Sequence, residues 1–236
     1  MHFPDPLQRG TLVKRYKRFL TDVKLDNGEI VVAHCANPGS MLSVNEPGSE
    51  VWLSPARNPE RKLRWSWELV KVGDGLVGIN TSHPNGLVED AITDGTIVEL
   101  QGYASLRREV KYGKNSRIDI LLEDDGRPSC YVEVKNVTMR RDIAGGPAEF
   151  PDSVTSRGAK HLVELADMVA EGHRAVMMYL VQRGDADAFT IADDIDPDYA
   201  AGLKTAVKAG VEVLCYACDV TPESVRVTHR IDRIEI

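Results

Sequence analysis

Over the first third of the chain, apolar and polar positions alternate with a period of two, in runs too short for helices. This pattern predicts strands over 11–20, 29–34, 50–53, 63–72 and 76–79. Asp26-Asn27-Gly28 turns the chain into the second of these, and Gly73-Asp74-Gly75 divides the last two. Five or so strands in about 80 residues suit a small closed barrel, and the OB-fold is the barrel most often used on nucleic acid.

After residue 82 the period lengthens. Pro84 opens a predicted helix that runs to about Thr93 and stops at Gly95. Strands are expected over 106–112, 117–122 and 129–135, then a long helix over 152–171 with Val163, Ala166 and Val169 on one side. Gly172 ends that helix, and an apolar strand over 175–181 follows. Asp196-Pro197 opens a further helix, Gly210 closes it, and a last strand starts at Val211. The order is that of an α/β domain. The expected architecture is an all-β barrel over 1–82 followed by an α/β domain over 83–236.

The predicted hairpin over 117–135 concentrates the candidate chemistry. Its reversal is marked by Asp124-Asp125-Gly126-Arg127-Pro128. Pleating groups Ile118, Ile120 and Leu122 on one face of the first strand, and Cys130, Val132 and Val134 on one face of the second. If both sets are buried against one core, Asp119, Glu133 and Lys135 share the opposite surface. Counting back from Gly126 sets Asp119 across from Glu133. Two carboxylates so placed repel each other unless a cation lies between them. Oxygen ligands suit Mg²⁺, which could polarise a phosphodiester and activate water, with Lys135 beside it to orient the water or offset developing charge. The plainer reading is a half-solvated hairpin whose outer face alternates charges and includes a Glu133–Lys135 pair.

Charge and composition narrow the picture. The chain has 236 residues, 42% hydrophobic and 28% charged, as in globular proteins with a buried core. No apolar run approaches the ~18 residues needed to cross a bilayer, and no secretory signal opens the chain, so no membrane association is expected and a cytoplasmic location is. Net charge is −7, which speaks against a generally basic coat for nucleic acid. The halves differ: residues 1–82 hold 11 Lys+Arg against 9 Asp+Glu, while residues 83–236 hold 18 against 27. Local clusters at Lys14, Arg15, Lys17 and Arg18, and at Arg57, Arg61, Lys62 and Arg64, would hold phosphates or form an ordinary solvated face. Tyr16, Phe19, Trp52, Trp65 and Trp67 are stacking candidates or barrel core, and core is the better expectation for most. Cys35, Cys130, Cys215 and Cys218 are too scattered for a disulfide framework. Cys215 and Cys218 would point to opposite faces of one strand and serve as packing residues.

Several segments resemble the sugar fermentation stimulation protein A family. They are His34-Cys35-Ala36-Asn37-Pro38-Gly39-Ser40-Met41, Arg108-Glu109-Val110-Lys111-Tyr112-Gly113, Ser116-Arg117-Ile118-Asp119, Cys130-Tyr131-Val132-Glu133-Val134-Lys135, and Phe150-Pro151-Asp152-Ser153-Val154-Thr155 with Arg157-Gly158 and Lys160-His161-Leu162. They run in one order over nearly the whole chain. One departure is Ala36-Asn37-Pro38, where the family is expected to show Pro-Asn-Thr.

The resemblance implies an N-terminal OB-fold barrel and a PD-(D/E)XK nuclease-like (restriction-endonuclease-like) α/β domain, in a DNA-binding protein connected with sugar metabolism. Carried over, Asp119 and Glu133 match that motif's two acidic residues and metal ligands, Lys135 its lysine, and Ile118 stands in place of its proline. Glu89 would be an extra acidic site residue or a surface helix charge, and Glu109 is a secondary candidate. Arg157, Lys160, His161 and Glu164 fall along one side of the long helix, which flanks the site in this fold. Arg157 and Lys160 would contact phosphate or face solvent, and His161 is not expected to bind zinc. Asn37 and Ser40 would touch a nucleotide or form the junction between domains.

The expected function is DNA binding without strong sequence specificity, with a Mg²⁺-dependent (or Mn²⁺-dependent) phosphodiesterase site. Single-stranded DNA and RNA remain open as partners, as does a homo-oligomer. The rival is a non-catalytic DNA-binding regulator linked to sugar metabolism. A carbohydrate hydrolase is set aside, because Lys135 and the hairpin suit phosphate better.

Overall fold

A computed structural model describes residues 1–58 and 60–235. Strands β1 (Gln8–Tyr16), β2 (Leu20–Leu25), β3 (Ile30–Cys35), β4 (Glu50–Pro55) and β5 (Trp65–Val72) are neighbours in the order β3-β2-β1-β4-β5, and β6 (Gly75–Gly78) extends the sheet from β5. A parallel contact of β3 with β5, Ala33 opposite Trp65 through Cys35 opposite Trp67, closes five strands into the expected barrel. Its interior is filled by the inward members of each alternating run, among them Leu12, Val23, Ala33, Leu53, Trp67 and Val70. The single strand expected over 11–20 is two. The chain reverses at Lys17 and Arg18, whose φ angles are +51° and +67°. No Gly, Pro or Asn marks this turn, so the pattern concealed it.

The α/β domain follows as α1 (Pro84–Thr93), β7 (Ser105–Tyr112), β8 (Ser116–Asp124), β9 (Arg127–Val137), β10 (Ala148–Phe150), α2 (Ser156–Ala170), β11 (Arg174–Val181), β12 (Ala188–Ile191), α3 (Pro197–Lys208), β13 (Glu212–Val220), β14 (Val225–Arg230) and β15 (Arg233–Glu235). The main sheet runs β14-β13-β11-β9-β8-β7, and β10-β12-β15 form a small parallel sheet beside it. The sequence pattern predicts none of β10, β12, β14 and β15, and β10, β12 and β15 are too short to leave a periodic signal.

Helix α1 covers one face of the main sheet, packing Leu87, Val88 and Ala91 on Ile120, Val132, Val176 and Met178. Helices α2 and α3 cover the other face, packing Leu162, Leu165 and Leu203 with Met177, Tyr179 and Val181. Buried on both sides, β11 is a continuous apolar run, as central parallel strands are. Cys215 packs on the α2 face and Cys218 on the α1 face, and both thiols are free.

Two local expectations change. Ile118 does not share a face with Ile120 and Leu122: it packs on the α2 side, and they pack on the α1 side. The alternation therefore breaks at Asp119. Helix α2 starts at Ser156, not 152, where Thr155 accepts a hydrogen bond from the Gly158 N–H. Its buried stripe is Gly158, His161, Leu162, Glu164, Leu165 and Met168, while Val163 is 61% exposed. The face turned inward is partly polar because it covers the carboxylates described below.

The barrel and the α/β domain share contacts. The Gly78 N–H donates to the Gln182 carbonyl at 2.9 Å, and Leu69 of β5 packs in the α1-side cluster. The 37–41 loop is pinned to Asp152: Ser40 Oγ donates to its carbonyl at 2.6 Å and the Met41 N–H to its carboxylate at 2.8 Å.

Candidate active site

Strands β8 and β9 pair from Leu122 opposite Cys130 to Ile120 opposite Val132, the register the turn count predicts. Beyond that rung a side chain replaces the backbone partner. Asp119 Oδ2 accepts the Val134 N–H at 2.8 Å, so the carboxylate lies between the two strands. Asn85, in the first turn of α1, donates to Asp119 Oδ1 at 2.8 Å and to Glu109 Oε1 at 3.3 Å. Glu109 is held at φ +54°, a left-handed conformation within a strand.

Glu133 is 2% exposed. Its Oε1 accepts from Lys135 Nζ at 2.8 Å and from His161 Nδ1 of α2 in a short contact. Arg157 Nε donates to His161 Nε2 at 3.4 Å. A guanidinium can only donate, so Nε2 is the acceptor and Nδ1 carries the proton directed at Glu133. Glu133 Oε2 is buried and has no hydrogen-bond partner among the described residues.

The electrostatics follow from this arrangement. Burial, and next the charge on Glu133, push the Asp119 carboxyl up to about 6, against the Val134 N–H, Asn85 and Lys135, which favour its ionised form. Burial also acts to raise Glu133, but His161 and Lys135 outweigh it and hold that carboxyl below its ordinary value. Tyr112, whose hydroxyl is buried without a partner among the described residues, is raised by burial and then by Glu133, Glu164 and Asp119.

Among the described residues no three His, Cys, Asp or Glu side chains form a ready-made metal cage. Two carboxylates, one with an unclaimed buried oxygen, suit a hard divalent ion that keeps waters and takes oxygens from its substrate. In oxygen-donor chemistry the residues present fit such an ion.

A model of the "sugar fermentation stimulation protein RE domain" matches residues 82–224, and one of the "SfsA N-terminal OB domain" matches residues 13–79. A sugar fermentation stimulation protein homolog of Rhodospirillum rubrum is 64% identical over 230 residues, 94% of each chain. The chain belongs to the sugar fermentation stimulation protein family. The homolog of Paramagnetospirillum magneticum is 60% identical over 225 residues, 95% of this chain and 94% of its own. A solved Pyrococcus furiosus family member, described as in complex with Ca²⁺, superposes with a TM-score of 0.88 at 26% identity, covering 100% of this chain and 98% of its own.

In this family member the structure brings Asp119, Glu133 and Lys135 together, with Glu109 at their edge. Glu89 is engaged elsewhere: its carboxylate pairs with Arg108 at 3.0 Å, and Asn85, one turn earlier, is the α1 residue that touches Asp119. Lys160 Nζ is bound to the Lys114 carbonyl at 2.9 Å and to Ser116 Oγ at 3.0 Å, and Arg157 lies against His161.

The basic run of the barrel mostly has internal partners. Arg15 donates to the carbonyls of Arg18, Asn37 and Gly39 at 2.7–2.9 Å, Arg18 donates to that of Pro38 at 3.2 Å, and Lys14 pairs with Asp22 at 3.6 Å. Lys17 is exposed. Asn37 is buried, and its Oδ1 accepts the Gly39 N–H at 2.9 Å. Asn37 and Ser40 thus shape the interdomain junction. Trp67 is fully buried, Trp65 and Trp52 pack against the cores, and Phe19 is 52% exposed.

Sequence reasoning missed Asn85, the hydrogen bond from His161 to Glu133, and buried Tyr112; it placed Glu164 on the side of α2 that flanks the site but not its burial. The i to i+4 spacing of Arg157 and His161 carried part of that signal. Nothing local marked Asn85.

Proposed function

We propose that the protein binds nucleic acid, DNA foremost, without strong sequence specificity, and cleaves phosphodiester bonds with Mg²⁺ or Mn²⁺ held by Asp119 and Glu133. The observation that carries this reading is Glu133 Oε2, a buried carboxylate oxygen without a donor among the described residues, beside a second carboxyl that burial, and next the Glu133 charge, push up to about 6. The Ca²⁺ in the description of the Pyrococcus furiosus relative supports a divalent ion. When bound, such an ion would polarise the phosphodiester and ease loss of a proton from an attacking water.

The chain's own groups do the rest. Asn85 and the Val134 N–H hold Asp119, and His161, fixed by Arg157, holds Glu133. The Lys135 ammonium sits at the pair, ready to offset charge developing on a phosphate. The setting in this reading is the cytoplasm.

One observation favours the rival, a non-catalytic DNA-binding regulator linked to sugar metabolism. Glu133 Oε1 is already compensated by Lys135 and His161, as a retired site would be.

Incubation with single- and double-stranded DNA and with RNA, in Mg²⁺, Mn²⁺ or EDTA, separates the two. Asp119→Ala and Lys135→Ala run in parallel. Cleavage should need metal and fall at least ~100-fold in Lys135→Ala. Cleavage in EDTA, or equal rates in the variants, removes the site assignment. Binding with no cleavage selects the regulator.

A further inference from the structure

Antiparallel β7 and β8 carry two like-charged rungs separated by the apolar Val110–Ile118 rung. Arg108 opposite Ile120 and Val110 opposite Ile118 set the register between them, which brings Glu109 across from Asp119. Both carboxylates accept from Asn85. Two residues along, about 7 Å at strand rise, Lys111 stands directly opposite Arg117. Like charges facing each other across a ladder are unfavourable.

The surrounding cations show how this hairpin otherwise treats charge. Arg107 pairs with Glu123 at 2.8 Å, Arg108 with Glu89 at 3.0 Å, Lys135 with Glu133 at 2.8 Å and Lys160 with Glu164 at 3.4 Å. Lys111 and Arg117 are exposed, and among the described residues neither has an ion pair. They border a cavity of ≈370 Å³ at the hairpin tip, together with Tyr112, Gly113, Asn115 and Ser116. That tip is fixed: Glu164 accepts the Lys114 N–H at 3.1 Å, Lys160 ties the Lys114 carbonyl to Ser116, and Gly113 and Asn115 turn the chain at φ +52° and +66°.

We propose that Lys111 and Arg117 form a phosphate seat for the nucleic-acid backbone, two rungs outside the carboxylates. The inference rests on the nucleic-acid reading above and adds where the strand lies. An acidic rung that calls for a cation then lies two rungs from a basic rung that calls for a phosphodiester anion. A polymer can place one phosphate on the outer rung and present the next to Asp119 and Glu133. In a chain of net charge −7 this is a local reversal of sign next to the site.

The test uses the full chain in EDTA, so that binding is read without cleavage. The Lys111→Gln/Arg117→Gln double variant and the single Lys111→Glu variant are compared with wild type. Without nucleic acid and at low salt, relief of repulsion should raise Tm by roughly 0.5–4 °C in the double variant. Lys111→Glu should raise it too, because the rung becomes an opposite-charge pair. A fluorescently labelled DNA duplex should bind both variants more weakly, and the log–log salt slope of the double variant should shrink by about 2.

An unchanged slope overturns the seat. So does a lower Tm in both variants, because damage to the fold would then explain weaker binding. Inorganic phosphate that raises Tm as much as duplex at equal phosphate concentration also overturns it, in favour of a free-anion site. Intact binding effects with no metal-dependent cleavage would remove only the nuclease reading. Cleavage that persists with these effects absent would remove only the seat.

Discussion

Among the described residues Glu133 has two donors on one carboxylate oxygen and none on the other, and it is almost fully buried. That imbalance sets what single substitutions should do. His161→Ala deletes a donor to a buried charge, a loss of about 1–3 kcal/mol. At 2–4 °C per kcal/mol for a chain of this size, Tm should fall by roughly 2–12 °C. The loss should shrink by about half or more when Glu133→Gln is already present, because a neutral amide has less need of the imidazole. A thermal-melt cycle measures this, and strictly additive shifts would mean that His161 acts on stability through packing alone. Asn85→Ala is the matching test for Asp119: cleavage should drop while duplex binding in EDTA stays within about twofold, since Asn85 donates to the Asp119 and Glu109 carboxylates.

Among the elements, β5 and α1 are joined through one buried carboxylate. Glu68 is 5% exposed and accepts from Ser54 at 2.6 Å and Asn80 at 2.7 Å, with His83 Nε2 at 2.8 Å. Burial alone would raise Glu68, but these partners outweigh it and hold its carboxyl below the ordinary value. A carboxyl depressed in the folded state stabilises the fold above its unfolded pKa of about 4.3 and loses that contribution as pH falls through the folded value. Denaturant titrations between pH 5 and 3 should therefore show a shallower acid loss in Glu68→Gln than in wild type. Parallel curves would assign the acid sensitivity to other carboxylates. At the same scale, the polar inward stripe of α2 explains why hydrophobic periodicity misplaced its buried face: His161 and Glu164 take positions that a purely structural helix would give to Leu or Val.

At the scale of the whole molecule, the barrel and the α/β domain share part of one hydrophobic core. Leu69 belongs to a barrel strand but packs with Leu87, Ile120 and Met178 of the α/β domain. Leu69→Ala should cost about 2–5 kcal/mol and lower one common calorimetric transition. Two separated transitions, only one of them shifted, would contradict that coupling. Charge is also arranged over the whole molecule. The acidic balance of the second half coexists with the basic rung of β7 and β8, so net charge alone does not describe the local charge of that surface.

The sequence by itself determined the barrel-then-α/β order, most strand positions, the register that sets Asp119 toward Glu133, and the opposite facing of Cys215 and Cys218. These follow from local periodicity and turn chemistry, which act over a few residues. Only the tertiary structure decided that Asn85 reaches Asp119, that His161 directs a proton at Glu133, and that Arg15 and Arg18 brace a loop. It also decided that Ile118 leaves the face of its strand neighbours. Each of these depends on segments tens of residues apart meeting at hydrogen-bond distance, and a one-dimensional pattern holds no record of which distant donor satisfies a buried acceptor.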